Sequence, residues 1–305
     1  MHSAQFVTVT PAESGQKLLQ FLERRLDGAV PRTAIQRWIR KGQVRVDKGR
    51  SKPFDRIEAG QTVRIPPYEP GETGGGKPAA PGGPLEFVYD DDRMLVIAKP
   101  AGLAVHGGDG ISDSVAGRLA AAFADADFKP TLAHRLDRDT SGLLLAARTY
   151  DALRDLNDRF AAGTIGKLYL TWVTGRWREP GTVLLEDQLE KRGAPGSEKV
   201  EPVRDGSGKE ALARVACLLA GEKRSLLAVR LLTGRTHQIR VQLASRGHPV
   251  AGDGKYGPAR QRTSLRLHCF ALRLDGQTLT LPPPWTGGWA ATPDALEAAL
   301  ALLGA

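Results

Sequence analysis

The sequence predicts an α+β protein with a small N-terminal part and a larger part dominated by strands. The first part, residues 1–67, contains two stretches with apolar residues at helical spacing, followed by short alternating segments. The second part, from residue 85 onwards, combines alternating segments and apolar runs, which are typical of strands, with an amphipathic helix. A composition of 41% apolar and 25% charged residues fits a folded globular protein. No run of 18 apolar residues occurs, so no membrane-spanning helix is predicted.

The boundary between the two parts lies in a segment that is rich in glycine and proline. Ten of the fifteen residues in 70–84 are Gly or Pro, and these residues prevent both a packed core and a regular backbone ladder. We therefore predict a flexible linker over residues 68–84. A long loop inside one domain is the alternative. With the linker, the chain divides into a domain over residues 1–67 and a second domain over residues 85–305.

Two helices are predicted in the first domain. The first runs from about Gln16 to Leu26, and the second begins at Pro31 and ends near Gly42. Ile35, Trp38 and Ile39 follow the i, i+3, i+4 rule in the second helix, so this side is expected to face a core. Short alternating strands follow at residues 44–46 and 63–65.

The positive charge of the chain is concentrated in this first domain. Residues 1–67 hold 13 Lys or Arg and 6 Asp or Glu, a net charge of +7 out of +9 for the whole chain. Such asymmetry indicates a module that binds a polyanion, most often nucleic acid. Arg37, Arg40 and Lys41 project from the side of the second helix opposite its apolar residues, and Arg45 follows on the next strand. A merely solvated helix face is the alternative.

The first segment with catalytic potential is AHRLDRDTSGLLL, residues 133–145, where a charged stretch directly precedes a buried strand. Its carboxylates, Asp137 and Asp139, are flanked by Arg135 and Arg138. A guanidinium group a few ångströms from a carboxylate keeps it ionised, and an ionised aspartate in a pocket can act as a nucleophile or a base. From the charge pattern alone, a surface loop of salt bridges is an equal alternative.

Two further segments carry polar residues next to predicted strands. In the alternating segment 167–173, Lys167 and Tyr169 share one face, although a lone tyrosine on a strand is more often structural. In TGRTHQIR, residues 233–240, Arg235 lies at a corner between a strand and a helix. An arginine bound to a helix end or to a phosphate is the alternative interpretation there.

Cysteine and histidine usage argues against disulfides and metal centres. Cys217 and Cys269 are the only cysteines, which is too few for a disulfide framework. The six histidines show no metal-binding spacing, so no metal site is predicted. The N-terminus lacks the basic and apolar pattern of a signal peptide. These features predict a protein of the reducing cytoplasm.

Taken together, these segments resemble a known family. HRLDRDTSGLLL, KLYL and TGRTHQIR, in this order, resemble the RluA family of RNA pseudouridine synthases, and KPAGLAVHGG and GHPVAGDGKYG add two matches. The resemblance covers about residues 85–275. Residues 14–66, with IRKGQVRVD, resemble the S4 RNA-binding module. The combination is most similar to the RluC branch, which modifies large-subunit ribosomal RNA.

The resemblance implies a fold and an activity. The implied core is a mixed, largely antiparallel sheet with a central cleft, preceded by a small α/β S4-like domain. The implied reaction isomerises uridine to pseudouridine in RNA without a cofactor, after the base has been flipped out of its stack. The implied partner is large-subunit ribosomal RNA or its precursor, bound by a monomer. A synthase acting on another RNA, such as transfer RNA, and a non-catalytic RNA-binding assembly factor are the alternatives.

The resemblance also implies roles for individual residues. Asp137 is implied as the catalytic carboxylate, Tyr169 as the residue packed against the uracil, and Arg235 as the basic partner of the carboxylate. Arg135 is implied to fill the place that the flipped base vacates, and Ile239 to form an apolar wall. His134 and Lys167 are expected to contact the substrate.

Overall fold

The computed structural model describes residues 3–69, 82–108, 111–194, 198–258 and 264–304. The central part of the predicted linker, residues 70–81, lies outside these ranges. The observed elements confirm the predicted α+β class. Within the described ranges, no helix is long and apolar enough to cross a membrane.

Residues 3–69, called the N-terminal module below, fold around their own apolar cluster. Two helices pack on an antiparallel sheet ordered β1-β3-β2. The elements are β1 (Gln5–Thr8), α1 (Leu18–Leu26), α2 (Arg32–Arg40), β2 (Arg45–Val46) and β3 (Thr62–Ile65). Ile35 and Ile39 of α2 are buried, and Trp38 packs partly buried against the same cluster. The predicted inward face of the second helix is therefore confirmed.

The remaining described residues form one large sheet with helices on its faces. Its strands are β4 (Phe87–Asp90), β5 (Met94–Lys99), β6 (Thr131–Leu132), β7 (Ser141–Ala147), β8 (Gly166–Thr174), β9 (Thr182–Arg192), β10 (Lys199–Val203), β11 (Lys209–Ala220), β12 (Arg224–Leu231), β13 (Leu267–Leu274) and β14 (Gln277–Thr280). The helices are α3 (Val115–Ala122), α4 (Tyr150–Ala162), α5 (Gln238–Ala244) and α6 (Pro293–Gly304).

The order of the strands brings distant parts of the sequence together. The main path is β10-β9-β11-β12-β8-β13-β7-β5-β4, with β14 beside β13 and β6 beside β7. All neighbours are antiparallel except β7 and β13, which are parallel. The prediction of a mixed, largely antiparallel sheet is therefore confirmed. The central strands β8, β13 and β7 place residues about 100 positions apart side by side.

The two faces of the sheet are covered by different elements. One face contributes to the main apolar cluster, which includes buried residues of α3, α4 and α5. The other face packs against α6 and the segment before it, with Trp285 buried and Trp289 partly buried beside Trp172. The indole N–H of Trp172 donates to the carbonyl of Trp289 at 2.8 Å. The C-terminal tail, which no motif explained, thus closes this second face.

The contact between β7 and β13 depends on a glycine. Gly142 has φ of +118°, and a Cβ built there would lie 2.3 Å from the Cys269 carbonyl oxygen. No other residue allows both this backbone conformation and this close approach. The preceding Ser141 hydroxyl donates to His268 Nδ1 at 2.8 Å, while His268 Nε2–H donates to the Leu281 carbonyl at 2.7 Å. Burial lowers the pKa of His268 to about 4, so the ring remains neutral in this role.

Candidate active site

A cleft of about 560 Å³ opens where the loop before β7 meets β8 and the start of α5. It brings together the three segments that the sequence marked as candidates, namely residues 133–140, 167–169 and 231–240. A volume of this size is in the range of pockets that hold a small ligand or a nucleoside. The predicted central cleft is therefore present, and it is lined by residues from all three segments.

At its floor, Asp137 is part of a chain of three charged side chains. Arg240 Nη1 donates to Asp137 Oδ2 at 2.9 Å. The same guanidinium donates through Nε and Nη2 to both oxygens of Asp253, at 2.7 and 2.8 Å. Burial favours a lower pKa for Arg240, but the hydrogen bonds and charges of Asp253 and Asp137 outweigh it and raise the pKa. Arg240 is therefore a fixed cation that holds Asp137 in one orientation.

Asp253 is the buried anchor of this chain. Its side chain is 0% exposed, and its Oδ1 also accepts the backbone N–H groups of Lys255 and Tyr256. Burial favours a higher pKa for Asp253, but the hydrogen bonds and charge of Arg240, with those two N–H groups, lower it. The carboxylate is thus ionised and fully occupied, which leaves Asp137 as the member of the chain that faces the cleft.

Asp137 keeps one oxygen available to a ligand. The Asp137 side chain is 20% exposed, and no described residue donates a hydrogen bond to its Oδ1. His237 Nε2 lies 3.8 Å from Oδ2, and its Nδ1 is hydrogen-bonded to the Tyr256 hydroxyl at 2.7 Å. Burial lowers the pKa of His237, so the neutral ring adds little charge to the site. The arrangement presents a free, ionic carboxylate oxygen in a semi-enclosed cleft.

The neighbouring carboxylate Asp139 does not line this cleft. Its side chain is 47% exposed and pairs with Arg138 at 3.1 Å. The sequence pattern suggested that the adjacent arginines hold both carboxylates, and for Asp137 this is wrong. Its ionic partner is Arg240, 103 positions further along the chain. The charge pattern of the loop alone therefore does not tell Asp139, which forms a surface ion pair, from Asp137, which lines the cleft. The fold is needed to separate them.

A buried lysine holds the loop that carries Asp137 in place through the backbone carbonyls of that loop. Lys99, at the end of β5, is 1% exposed and donates to the carbonyls of Pro100, Arg138 and Thr140 at 2.9, 2.8 and 2.7 Å. Burial lowers the pKa of Lys99 to about 8, although Asp139 and Asp137 favour the charged form. At neutral pH the ammonium group therefore supplies all three donors. Lys99 is a positioning residue for the loop.

Replacing Lys99 with Met is expected to destabilise the fold and to loosen Asp137. The change removes one hydrogen-bond donor from each of three carbonyls, of which only that of Arg138 is known to keep another, the Gly102 N–H. An unsatisfied buried polar group costs about 1–3 kcal/mol, partly offset here because no charge remains buried. We expect a net loss of roughly 2 kcal/mol in urea unfolding and at least a tenfold loss of turnover. Wild-type turnover in Lys99→Met would contradict a positioning role.

Tyr169 lies on the wall of the cleft, as the alternation of β8 predicts. It is 6% exposed, and in the strand register it lies opposite Cys269 of β13. Burial raises the pKa of both groups, that of Cys269 to about 12, so both keep their protons at neutral pH. Tyr169 is thus a buried, protonated phenol in the lining of the cleft.

The other expected substrate contacts also line the cleft. Ile239 is 5% exposed and joins the main apolar cluster, so it forms an apolar wall.

Leu145 N–H donates to His134 Nε2 at 3.0 Å, and burial together with Lys167 lowers the pKa of His134 to about 3. Lys167 lies 6.0 Å over the Phe160 ring, and burial lowers its pKa. Arg135 is exposed at the mouth.

Arg235 does not pair with Asp137, contrary to what the resemblance implies. Its Nε donates to the carbonyl of Glu210 at 2.8 Å, and the residue is exposed on the rim of the cleft. The physical reason is its position, since Arg235 precedes α5 and is drawn towards β11. Arg240 lies within α5 on the side that faces Asp137. The basic partner of Asp137 is therefore Arg240.

The sequence interpretation missed Arg240, Asp253 and Tyr256. All three belong to segments that were quoted as motifs, TGRTHQIR and GHPVAGDGKYG. One signal was available for Arg240, because it lies in the same short segment as Arg235, TGRTHQIR, within the predicted helix. No local signal links Asp253 to Arg240, since their contact arises only from the packing of the loop after α5.

The basic residues of the N-terminal module are placed as expected. Arg37, Arg40 and Lys41 are exposed on the outer side of α2, and Arg45 is half-buried on β2. Among the described residues, no carboxylate forms an ion pair with any of these four side chains. Their charges are therefore open to an external anion. Which anion they bind is a separate question from the chemistry of the cleft.

Comparisons with known proteins identify the family of this chain. A family model described as RNA pseudouridylate synthase matches residues 93–245. Ribosomal large subunit pseudouridine synthase C of Escherichia coli (strain K12) is 38% identical over 296 residues, covering 93% of this chain and 91% of that protein. The Pasteurella multocida (strain Pm70) protein of that name is 36% identical over 303 residues, covering 92% and 90%. The solved structure of Human RNA Pseudouridylate Synthase Domain Containing 1 has a TM-score of 0.57 at 26% identity, covering 71% of this chain and 94% of its own. The chain therefore belongs to the RNA pseudouridylate synthase family, in the branch of the ribosomal large subunit pseudouridine synthases C.

Proposed function

We propose that this chain isomerises specific uridines to pseudouridine in large-subunit ribosomal RNA, in the cytoplasm and as a monomer. One observation carries the proposal, namely an ionised Asp137 that is fixed by Arg240 and offers its free Oδ1 to the cleft. The names of the relatives support the choice of RNA. The reaction rearranges bonds within one nucleotide, so it requires no redox change and no imported group.

The proposed reaction needs a carboxylate and little else. The N1–C1′ bond breaks, the base turns, and a C5–C1′ bond forms, after which the proton on C5 leaves and N1 ends protonated. Asp137 either attacks C1′ as a nucleophile, as in a retaining glycosidase, or removes a sugar proton while the base departs. Both routes start from the same ionised carboxylate, and Arg240 serves both by orienting it.

The other cleft residues receive roles from their environment. Tyr169 packs against the uracil, since it lines the cleft, and the family resemblance implies that it assists the late removal of the C5 proton. Ile239 provides an apolar wall for the base. Because the pKa of His134 is about 3, we assign it contact with the substrate and not acid catalysis. Arg135, exposed at the mouth, enters the helix where the flipped base stood, and Lys167 and Arg235 face the backbone phosphates.

The decisive experiment maps pseudouridine in ribosomal RNA from cells with and without this protein. Loss of specific large-subunit sites, restored by the wild-type gene and not by an Asp137→Asn variant, is the expected result. Loss confined to transfer RNA would favour a synthase of that class instead. An unchanged pseudouridine map would favour the non-catalytic assembly factor, against which the presence of Asp137, Tyr169 and Arg240 in one cleft already argues.

We further propose that the N-terminal module holds the RNA through its basic residues. The module carries most of the net charge of the chain, and Arg37, Arg40 and Lys41 have no ionic partner among the described residues. Phosphate contacts of this kind position an RNA without reading its sequence. The module would then supply affinity for the RNA, and the cleft would carry out the reaction.

Substituting Gln for Arg37, Arg40 and Lys41 together is expected to flatten the salt dependence of RNA binding. Each lost phosphate contact lowers the slope of log K against log salt by about 0.7–0.9, so the triple variant should lose about two units. Turnover at saturating RNA should be nearly unchanged, because none of the three lines the cleft. An unchanged slope and affinity would show that this helix face is only solvated.

A further inference from the structure

The small sheet of the N-terminal module has an outward face that the proposed reaction does not use. Its inward face contributes Val63, buried, and Val7 and Val46, partly buried, to the apolar cluster of the module. Side chains alternate between the faces of a strand, so Phe6, Arg64 and Arg45 point the other way. The strand register places Phe6 opposite Arg64, and Arg64 opposite Arg45. These three residues are called the outer row below.

The outer row joins an exposed aromatic ring to two arginines. Phe6 is 69% exposed, the highest value among the large apolar residues that the structure describes. Arg64 Nη1 donates to the Gln43 carbonyl at 2.6 Å, which fixes its plane against the sheet. No described carboxylate pairs with Arg64 or Arg45. Asp47, which directly follows β2, accepts the backbone N–H of Thr62 at 2.8 Å and pairs with neither arginine, so the row keeps its positive charge.

The dimensions of the row match one nucleotide. Adjacent strands are about 4.8 Å apart, so the row spans roughly 10 Å from Phe6 to Arg45. A base stacked on an aromatic side chain leaves its phosphate within reach of a long arginine side chain on the next strand. Sheets that bind unpaired RNA combine these two features, an aromatic platform and neighbouring basic side chains.

We propose that the outer row binds one unpaired nucleotide of the RNA, with its base on Phe6 and its phosphate on Arg64 and Arg45. This site is separate from the outer side of α2, which carries Arg37, Arg40 and Lys41. It rests on the proposed function, in that the bound polyanion is RNA. It adds a preference for unpaired over duplex RNA, which phosphate contacts alone do not provide. The bases inside a duplex are stacked on one another and have no free face for Phe6.

The proposal is tested with the full chain and two short RNA probes. One is a single-stranded cytidine octamer, which carries no uridine for the cleft, and the other is an RNA duplex of equal charge. Phe6→Ala is expected to weaken octamer binding about tenfold and to leave duplex binding unchanged. Phe6→Tyr should bind like the wild type, whereas Phe6→Leu, which keeps the apolar area but not the aromatic face, should behave like Phe6→Ala.

Two further variants sharpen the test. Arg45→Gln and Arg64→Gln should each lower the salt slope of octamer binding by about 0.7. Phe54, in the same module and 66% exposed, is the matched control because Lys17 already lies over its ring. Phe54→Ala should bind the octamer like the wild type. An equal loss in Phe54→Ala would overturn the assignment of the base to the outer row.

Failure of this proposal is distinguishable from failure of the proposed function. If the wild type forms pseudouridine in ribosomal RNA but Phe6→Ala keeps full octamer affinity, the outer row is not a nucleotide site and the function stands. If the wild type forms no pseudouridine, the function fails, and octamer binding still decides the outer row. A change in self-association of Phe6→Ala without loss of octamer affinity would identify the row as a protein contact and overturn the proposal.

Discussion

Replacing Asp137 with Asn is expected to reduce the rate of pseudouridine formation by more than about a thousandfold, while RNA affinity changes by no more than a few-fold. The substitution keeps the shape of the side chain and a carbonyl oxygen that can accept from Arg240. It removes the negative charge and the nucleophilic or basic oxygen at Oδ1. Single-turnover rates on a ribosomal RNA transcript, together with binding measured separately, check both expectations.

The same loop provides a matched control for this substitution. Asp139→Asn changes the same chemical group two positions away, in a side chain that is half exposed and paired with Arg138. We expect turnover within a few-fold of the wild type. Turnover by Asp137→Asn above about a thousandth of the wild-type rate would contradict the assignment. So would a loss in Asp139→Asn as large as that in Asp137→Asn.

The features that the sequence predicted well were carried by local patterns. Period-two alternation placed Lys167 and Tyr169 on one face, and both line the cleft. Helical spacing identified the buried side of α2 through Ile35 and Ile39. These predictions held because the direction of a side chain is set by the geometry of its own helix or strand. The motifs around Asp137 marked the loop before β7, and that loop lines the cleft.

The features that failed depend on contacts between distant segments. The choice between Arg235 and Arg240 is decided by how α5 lies against the loop before β7, and five positions of sequence separate the two arginines. The role of Asp253 is set by the loop after α5, and that of Lys99 by three carbonyls brought to the end of β5. The parallel pairing of β7 and β13 likewise joins strands that are more than 100 positions apart. No periodicity encodes such contacts.

The C-terminal tail illustrates the same limit from another direction. Its run of prolines and tryptophans matched no motif, and its place became clear only from packing. Trp285 and Trp289 lie against Trp172 and α6 on the face of the sheet that the cleft does not use. The tail therefore stabilises β8, the strand that carries Tyr169, from the face opposite the cleft. Motifs alone do not predict this role.

Replacing Arg240 with Met is expected to impair both stability and catalysis. Asp253, which is fully buried, would keep only the N–H groups of Lys255 and Tyr256. Removing one partner of a buried ion pair costs about 3–5 kcal/mol, because the other charge remains without compensation. Asp137 would lose the donor that fixes its Oδ2, and a misplaced reacting group costs roughly a hundredfold in rate. Urea unfolding and single-turnover rates measure the two effects separately.

A double variant separates the two roles of Arg240. In Arg240→Met/Asp253→Asn the buried site is neutral, and the new amide can still accept a backbone N–H through its oxygen, so most of the lost stability should return. Turnover should remain about a hundredfold below the wild type, since Asp137 still lacks its cation. Arg240→Lys keeps the charge but cannot bind both oxygens of Asp253 while reaching Asp137, so it should also remain impaired. If the double variant regained both stability and full turnover, Arg240 would act only in folding, and the fixed orientation of Asp137 would have to come from the Lys99-bound loop alone.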